Sequence, residues 1–147
     1  MLEEKIAEQL KQSLKSGDKV RLSVMRMIVS EIKNKKIADI VKTLDDDIIV
    51  ALIQKMARQH NESIEQFKQG NRDDLVKKET EELAILEEYL PKQLSEEEIS
   101  NIVSEAIKET GAVSAKDMGK VMGVILGRVK GCADGRVVSK MVKDRLV

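Results

Sequence analysis

Tryptophan is absent from this 147-residue chain, and Phe67, Tyr89 and the imidazole of His60 are its only aromatic side-chain rings. Recognition of splayed bases by aromatic stacking is therefore not expected. The core must be built from Leu, Ile, Val, Met and Ala. A single cysteine, Cys132, excludes an internal disulfide and any cysteine-based zinc site. Proline occurs once, at Pro91, so little interrupts helices elsewhere. No apolar run approaches the roughly 18 residues needed to span a bilayer, which argues against a membrane partner. Met1 leads directly into Leu2-Glu3-Glu4-Lys5 with no apolar secretory leader, and a soluble cytoplasmic protein is expected. Net charge is zero, so the charge of the whole molecule predicts no partner.

What the chain does have is charge, 35% of its residues, set around apolar positions at helical spacing. Leu2, Ile6, Leu10 and Leu14 mark a first amphipathic helix, and Ser16-Gly17-Asp18 ends it and starts another. The second helix buries Leu22, Met25, Ile28, Val29 and Ile32 and ends in Lys33, Lys35 and Lys36, which complement the helix dipole. Thr43 and Asp46 suggest a capping box for a third helix over 44–69, with Ile49, Ile53, Met56, Ile64 and Phe67 inside. His60 falls at the edge of that side and reads as a hydrogen-bonded structural residue, not a catalytic one. Gly70-Asn71 closes this helix. A fourth follows from Asp73, with Leu75, Val76, Leu83, Leu86 and Leu90 inside. Glu79, Glu81, Glu82, Glu87 and Glu88 read as its solvated face.

Pro91 forces Leu90 away from helical geometry and marks the clearest boundary. Ser95 and Glu98 then form a capping box for a fifth helix carrying Ile99, Ile102, Val103, Ala106 and Ile107, closed by Gly111. Ser114 and Asp117 cap a sixth, expected over 116–131, and Asp134 caps a seventh with Val137, Val138, Met141 and Val142 inside. The expectation is an all-α protein without strands. A four-helix domain spans 1–91 and a three-helix domain spans 92–147.

The sixth helix is unusual. At about 100° per residue, Met118, Val121, Met122, Ile125, Leu126 and Val129 cover one side. Gly119, Gly123 and Gly127 cluster on the opposite side together with Lys116, Lys120 and Lys130. Each glycine inside a helix costs about 1 kcal/mol relative to alanine. Omitted side chains let another backbone approach, and the ammonium groups favour an anionic one, such as a sugar-phosphate backbone. A second helix packed on the glycines fits the periodicity equally well. From Lys116 onward eight cations face three anions, a surplus of five within a neutral chain.

Several stretches resemble the GatB/YqeY family, and its free-standing YqeY-like members more than the fused form. They are Val24-Met25-Arg26-Met27, Gly70-Asn71-Arg72-Asp73-Asp74-Leu75, Glu79 through Leu86, Tyr89-Leu90-Pro91-Lys92-Gln93-Leu94-Ser95, Asp117-Met118-Gly119-Lys120-Val121-Met122-Gly123 and Lys130-Gly131-Cys132-Ala133-Asp134-Gly135. The resemblance implies a helical N-terminal domain and a small helical C-terminal domain similar to the GatB tail of the bacterial glutamyl/aspartyl-tRNA amidotransferase. There the tail helps to hold tRNA while chemistry occurs elsewhere. Carried over by position, Gly119, Lys120, Gly123, Lys130 and Gly131 match the motif. Cys132 stands where the family often has Lys, and Gly135 where fused tails often have Pro.

Family members often carry an amide-transfer label, a carbon-nitrogen ligase activity with glutamine as amido-N-donor. That chemistry needs a nucleophile and an ATP-activated carboxylate. Cys132 has no sequence companion, and Gly119-Lys120 lacks the remaining residues of a phosphate-binding P-loop. No catalytic residue, metal site or cofactor is therefore expected, and the chain alone is expected to catalyse nothing. The reading favoured is a tRNA-binding accessory protein acting with an aminoacyl-tRNA-modifying or synthetase enzyme, without DNA sequence reading. Its candidate contacts are Lys116, Gly119, Lys120, Gly123, Gly127, Lys130, Gly131 and Arg136. A helical protein-interaction adaptor is the alternative, and the ligase activity a second.

Overall fold

The structure, a computed structural model, describes residues 1–146. It is all-α as expected: seven α-helices and one short 3-10 turn, with no strand among the described residues. Contacts gather into two compact units, Met1–Leu90 and Pro91–Val147.

The first unit contains α1 (Leu2–Ser16), α2 (Lys19–Asp39), α3 (Asp46–Gln69) and α4 (Asp73–Glu87). Its core is aliphatic, with Ile6, Val24, Met25, Ile28, Ile49, Ile53 and Leu86 essentially inaccessible. Gly17 adopts the left-handed conformation at φ 73°, and the Asp18 carboxylate accepts the Arg21 amide at 3.0 Å, so α1 stops and α2 starts where the sequence indicates. Two local expectations fail. Leu14 is 55% exposed while Ser13 is buried, its hydroxyl donating to the Gln9 carbonyl at 2.8 Å. The stripe on α1 therefore leans away from a strict four-residue repeat. The Thr43–Asp46 capping box does not form: Asp45 is the N-cap of α3 and Leu44 is buried. Asp46 is engaged elsewhere, its Oδ1 accepting the amide of Leu2 at 3.0 Å and satisfying a free donor in the first turn of α1.

The second unit contains α5 (Glu96–Thr110), the 3-10 turn (Ala115–Asp117), α6 (Met118–Arg128) and α7 (Gly135–Arg145). The capping box of α5 is complete: the Ser95 hydroxyl accepts the Glu98 amide at 3.2 Å, and Glu98 Oε2 accepts the Ser95 amide at 2.9 Å. Val103, Ala106, Val121, Ile125, Val129, Val138 and Val142 form the core. The expected helix over 116–131 is shorter at both ends. At its start the Asp117 carboxylate accepts the amides of Val113 at 3.0 Å and Ser114 at 3.4 Å, which tightens 115–117 into a 3-10 turn. At its end Val129 is the C-cap, and Lys130 and Gly131 lie in the following turn, Gly131 at φ 76°. Leu126 and Val137, expected inside, are 46% and 38% exposed.

Two motif stretches far apart in sequence meet in this unit. The Gln93 side chain donates to the Gly131 carbonyl at 2.9 Å, and the Leu94 amide donates to the Cys132 carbonyl at 2.8 Å. The segment after Pro91 thereby holds the loop that follows α6. No described helix is long and apolar enough to cross a membrane.

Candidate nucleic-acid interface

Val121, Ile125 and Val129 are buried and fix the rotation of α6. The opposite side carries Gly119, Lys120, Gly123 and Gly127, all exposed. A Cβ added at Gly119, Gly123 or Gly127 would meet no other atom within 4 Å, apart from the immediate helix backbone. Nothing in the fold forbids alanine there, and none of the three has positive φ. The eight-residue interval from Gly119 to Gly127 measures about 12 Å along the axis at 1.5 Å per residue.

The other candidates surround this strip without sharing its helix. Lys116 is on the 3-10 turn, Lys130 and Gly131 are in the loop after α6, and Arg136 is in the first turn of α7. Lys116, Lys130 and Arg136 are exposed, and Gly131 is partly buried with its carbonyl taken by Gln93. The amides of Val113 and Ser114 hold the Asp117 carboxyl below its usual range, with Lys120 adding to the effect. An ionised carboxylate therefore sits at the entrance to the strip and lowers the local cationic surplus.

Sequence reasoning missed a neighbouring surface. Met122 and Leu126 of α6, with Gly135, Arg136, Ser139, Lys140 and Lys143 of α7, line a shallow groove. Arg136, Lys140 and Lys143 are four and three residues apart, so they share one side of α7. That spacing was legible; the shared groove needed the packing of α7 on α6. Lys140 and Lys143 extend the positive surface beyond the candidate set, which already held Arg136.

The acidic run on α4 also differs from expectation. Glu82 is 6% exposed and lies inside, where its Oε2 is 2.8 Å from His60 Nε2. His60 Nδ1 bonds the Met56 carbonyl at 2.9 Å. Imidazole and carboxylate thus link α3 to α4, the structural place expected for His60. Cys132 is partly buried in the second unit, whereas His60 belongs to the first.

These features define a class: an all-helical protein whose second unit presents an open, cation-flanked glycine strip. A family model described as "Yqey-like protein" matches residues 3–146, and the chain belongs to this YqeY-like family. It is similar to "altered inheritance of mitochondria protein 41, mitochondrial" of Lachancea thermotolerans, 34% identical over 118 residues, 76% of this chain and 63% of that protein. The protein of that name from Kluyveromyces lactis is 36% identical over 84 residues, 57% of this chain and 45% of its own length. That of Pyrenophora tritici-repentis is 36% identical over 103 residues, 67% and 55% of the two chains. The chain spans less than two thirds of the length of these relatives.

The cytoplasmic expectation is overturned, because these relatives are named as mitochondrial proteins. It rested on the lack of an apolar leader and of a membrane span. Neither bears on import into an organelle, whose targeting segments are amphipathic and arginine-rich.

Proposed function

We propose that this protein is a tRNA-binding accessory factor with no catalytic centre of its own, serving an aminoacyl-tRNA-modifying or synthetase enzyme. The observation that carries the reading is the open glycine strip. Three glycines lower the stability of α6 by about 1 kcal/mol each, yet the fold has room for the methyl group of alanine at all three. Close approach by an external backbone accounts for that cost, and the flanking Lys116, Lys120 and Lys130 suit an anionic one. Resemblance of the second unit to an amidotransferase tail supports tRNA as the RNA. In this reading the units act as two domains, 1–91 and 92–147. The Met122–Leu126 groove, bordered by Arg136, Lys140 and Lys143, continues the contact onto α7.

The test is titration of the full chain with labelled tRNA, using mitochondrial and cytosolic pools because of the relatives' printed location. Lys120→Glu with Lys130→Glu should weaken binding at least about tenfold and flatten its salt dependence. Salt-independent binding, or binding indifferent to both substitutions, would refute the reading.

A further inference from the structure

The cluster joining α3 to α4 contains more than a histidine–carboxylate bridge requires. His60 Nε2 lies 2.8 Å from Glu82 Oε2 and 3.4 Å from Glu79 Oε2. One N–H serves one acceptor well, and Glu82 already fills that role. Glu79, three residues earlier on α4, nevertheless turns its carboxylate to the same nitrogen. Both glutamates pair with the same imidazole nitrogen. The side chains are only 11%, 20% and 8% exposed for His60, Glu79 and Glu82. Two carboxylates and one imidazole in so sheltered a place leave the group negative even when the ring is protonated.

We propose that His60, Glu79 and Glu82 bind a divalent transition-metal ion of the zinc class, tying α3 to α4. The donor atoms all lie within 4.8 Å of one another. Ligands about 2.0–2.1 Å from a tetrahedral zinc stand about 3.3 Å apart, near the 3.4 and 2.8 Å from His60 Nε2 to Glu79 and Glu82. His60 is also oriented as a ligand. Its Nδ1 is bonded to the Met56 carbonyl, outside the cluster, so Nε2 faces the carboxylates and offers them its lone pair once the shared proton leaves. The mixed nitrogen and oxygen set favours Zn2+, Co2+ or Mn2+ over Mg2+ and Ca2+, which prefer oxygen alone. A bound ion replaces the proton between His60 Nε2 and Glu82 Oε2, which leaves to solvent, and it neutralises both carboxylates. Three protein ligands would leave the fourth position of a tetrahedral ion to water. The expectation of no metal, drawn from the lack of cysteine, overlooked this combination because its halves lie on different helices.

The experiment is Co2+ titration of the untagged full chain carrying Cys132→Ser, read by visible absorption, followed by displacement with Zn2+. One equivalent of Co2+ should develop d–d bands that Zn2+ removes and millimolar Mg2+ does not. His60→Gln and Glu79→Gln should each weaken binding about 100-fold while far-ultraviolet circular dichroism stays unchanged. Glu79 is the more exposed partner, so its variant keeps the test decisive if His60→Gln fails to fold. Absence of saturable one-to-one binding, or affinity unchanged in Glu79→Gln, would overturn the proposal and leave a structural ion pair. The outcome is independent of RNA binding, which rests on the other unit.

Discussion

At the scale of single residues, Gly123 is where stability and proposed function pull apart most clearly. Its backbone is compatible with alanine, and a Cβ there touches nothing. Gly123→Ala should therefore stabilise the second unit by about 1 kcal/mol, measurable by urea unfolding. An unchanged or lower stability would mean that the position is constrained within the fold. A second residue-scale prediction concerns pH. The Arg21 guanidinium grips Glu88 through two hydrogen bonds of 2.7 and 3.0 Å. That bond holds the Glu88 carboxyl below its usual range. The folded value is depressed, so the contribution is complete above the unfolded value, about pH 4.3, and is lost as pH falls through the folded one. Glu88 remains half exposed, which limits the pair to less than about 1 kcal/mol. Arg21→Ala should accordingly destabilise the first unit slightly at pH 7, with the difference from the parent vanishing in acid. A difference that grows in acid would contradict this assignment.

At the scale of elements, helix ends separate what was legible from what was not. Gly17, Asp18, Ser95 and Gly111 were readable because each makes its terminus from neighbours within a few residues. Asp46 misled because its carboxylate bonds Leu2, 44 positions away, and no local pattern reports that. Glu82 misled for the same reason: its burial depends on His60 from another helix. The rotation of α6 was legible from Val121, Ile125 and Val129, but its length was not, because the box at Ser114–Asp117 tightened the entry. The helix end after α2 had no glycine signal at all. Ile40 occupies the left-handed region at φ 55° with its side chain 92% exposed. A β-branched residue there costs about 1–2 kcal/mol relative to an unstrained backbone. Ile40→Gly should stabilise the first unit by about 1 kcal/mol in chemical denaturation, and destabilisation would show that the isoleucine makes a contact worth more than its strain.

At the scale of the whole molecule, a neutral chain places its cationic surplus from Lys116 onward, and the first unit carries the histidine–glutamate cluster. Family membership covers both units, since the match runs over residues 3–146. The fold class and helix order were available from periodicity. The cationic groove was not, because Met122 and Leu126 come together with Lys140 and Lys143 only through the packing of α7 on α6.

Equilibrium binding of labelled tRNA to the parent chain and to Gly123→Leu, at a series of salt concentrations, tests the account most directly. Gly123 is exposed and an added Cβ meets nothing, so Gly123→Leu should remain folded and lose at least about tenfold in affinity at low salt, where the parent binds and weakens steeply as salt rises. Equal affinity of the two proteins for tRNA, or no binding by the parent at low salt, would contradict the claim that the bare side of α6 receives a nucleic-acid backbone.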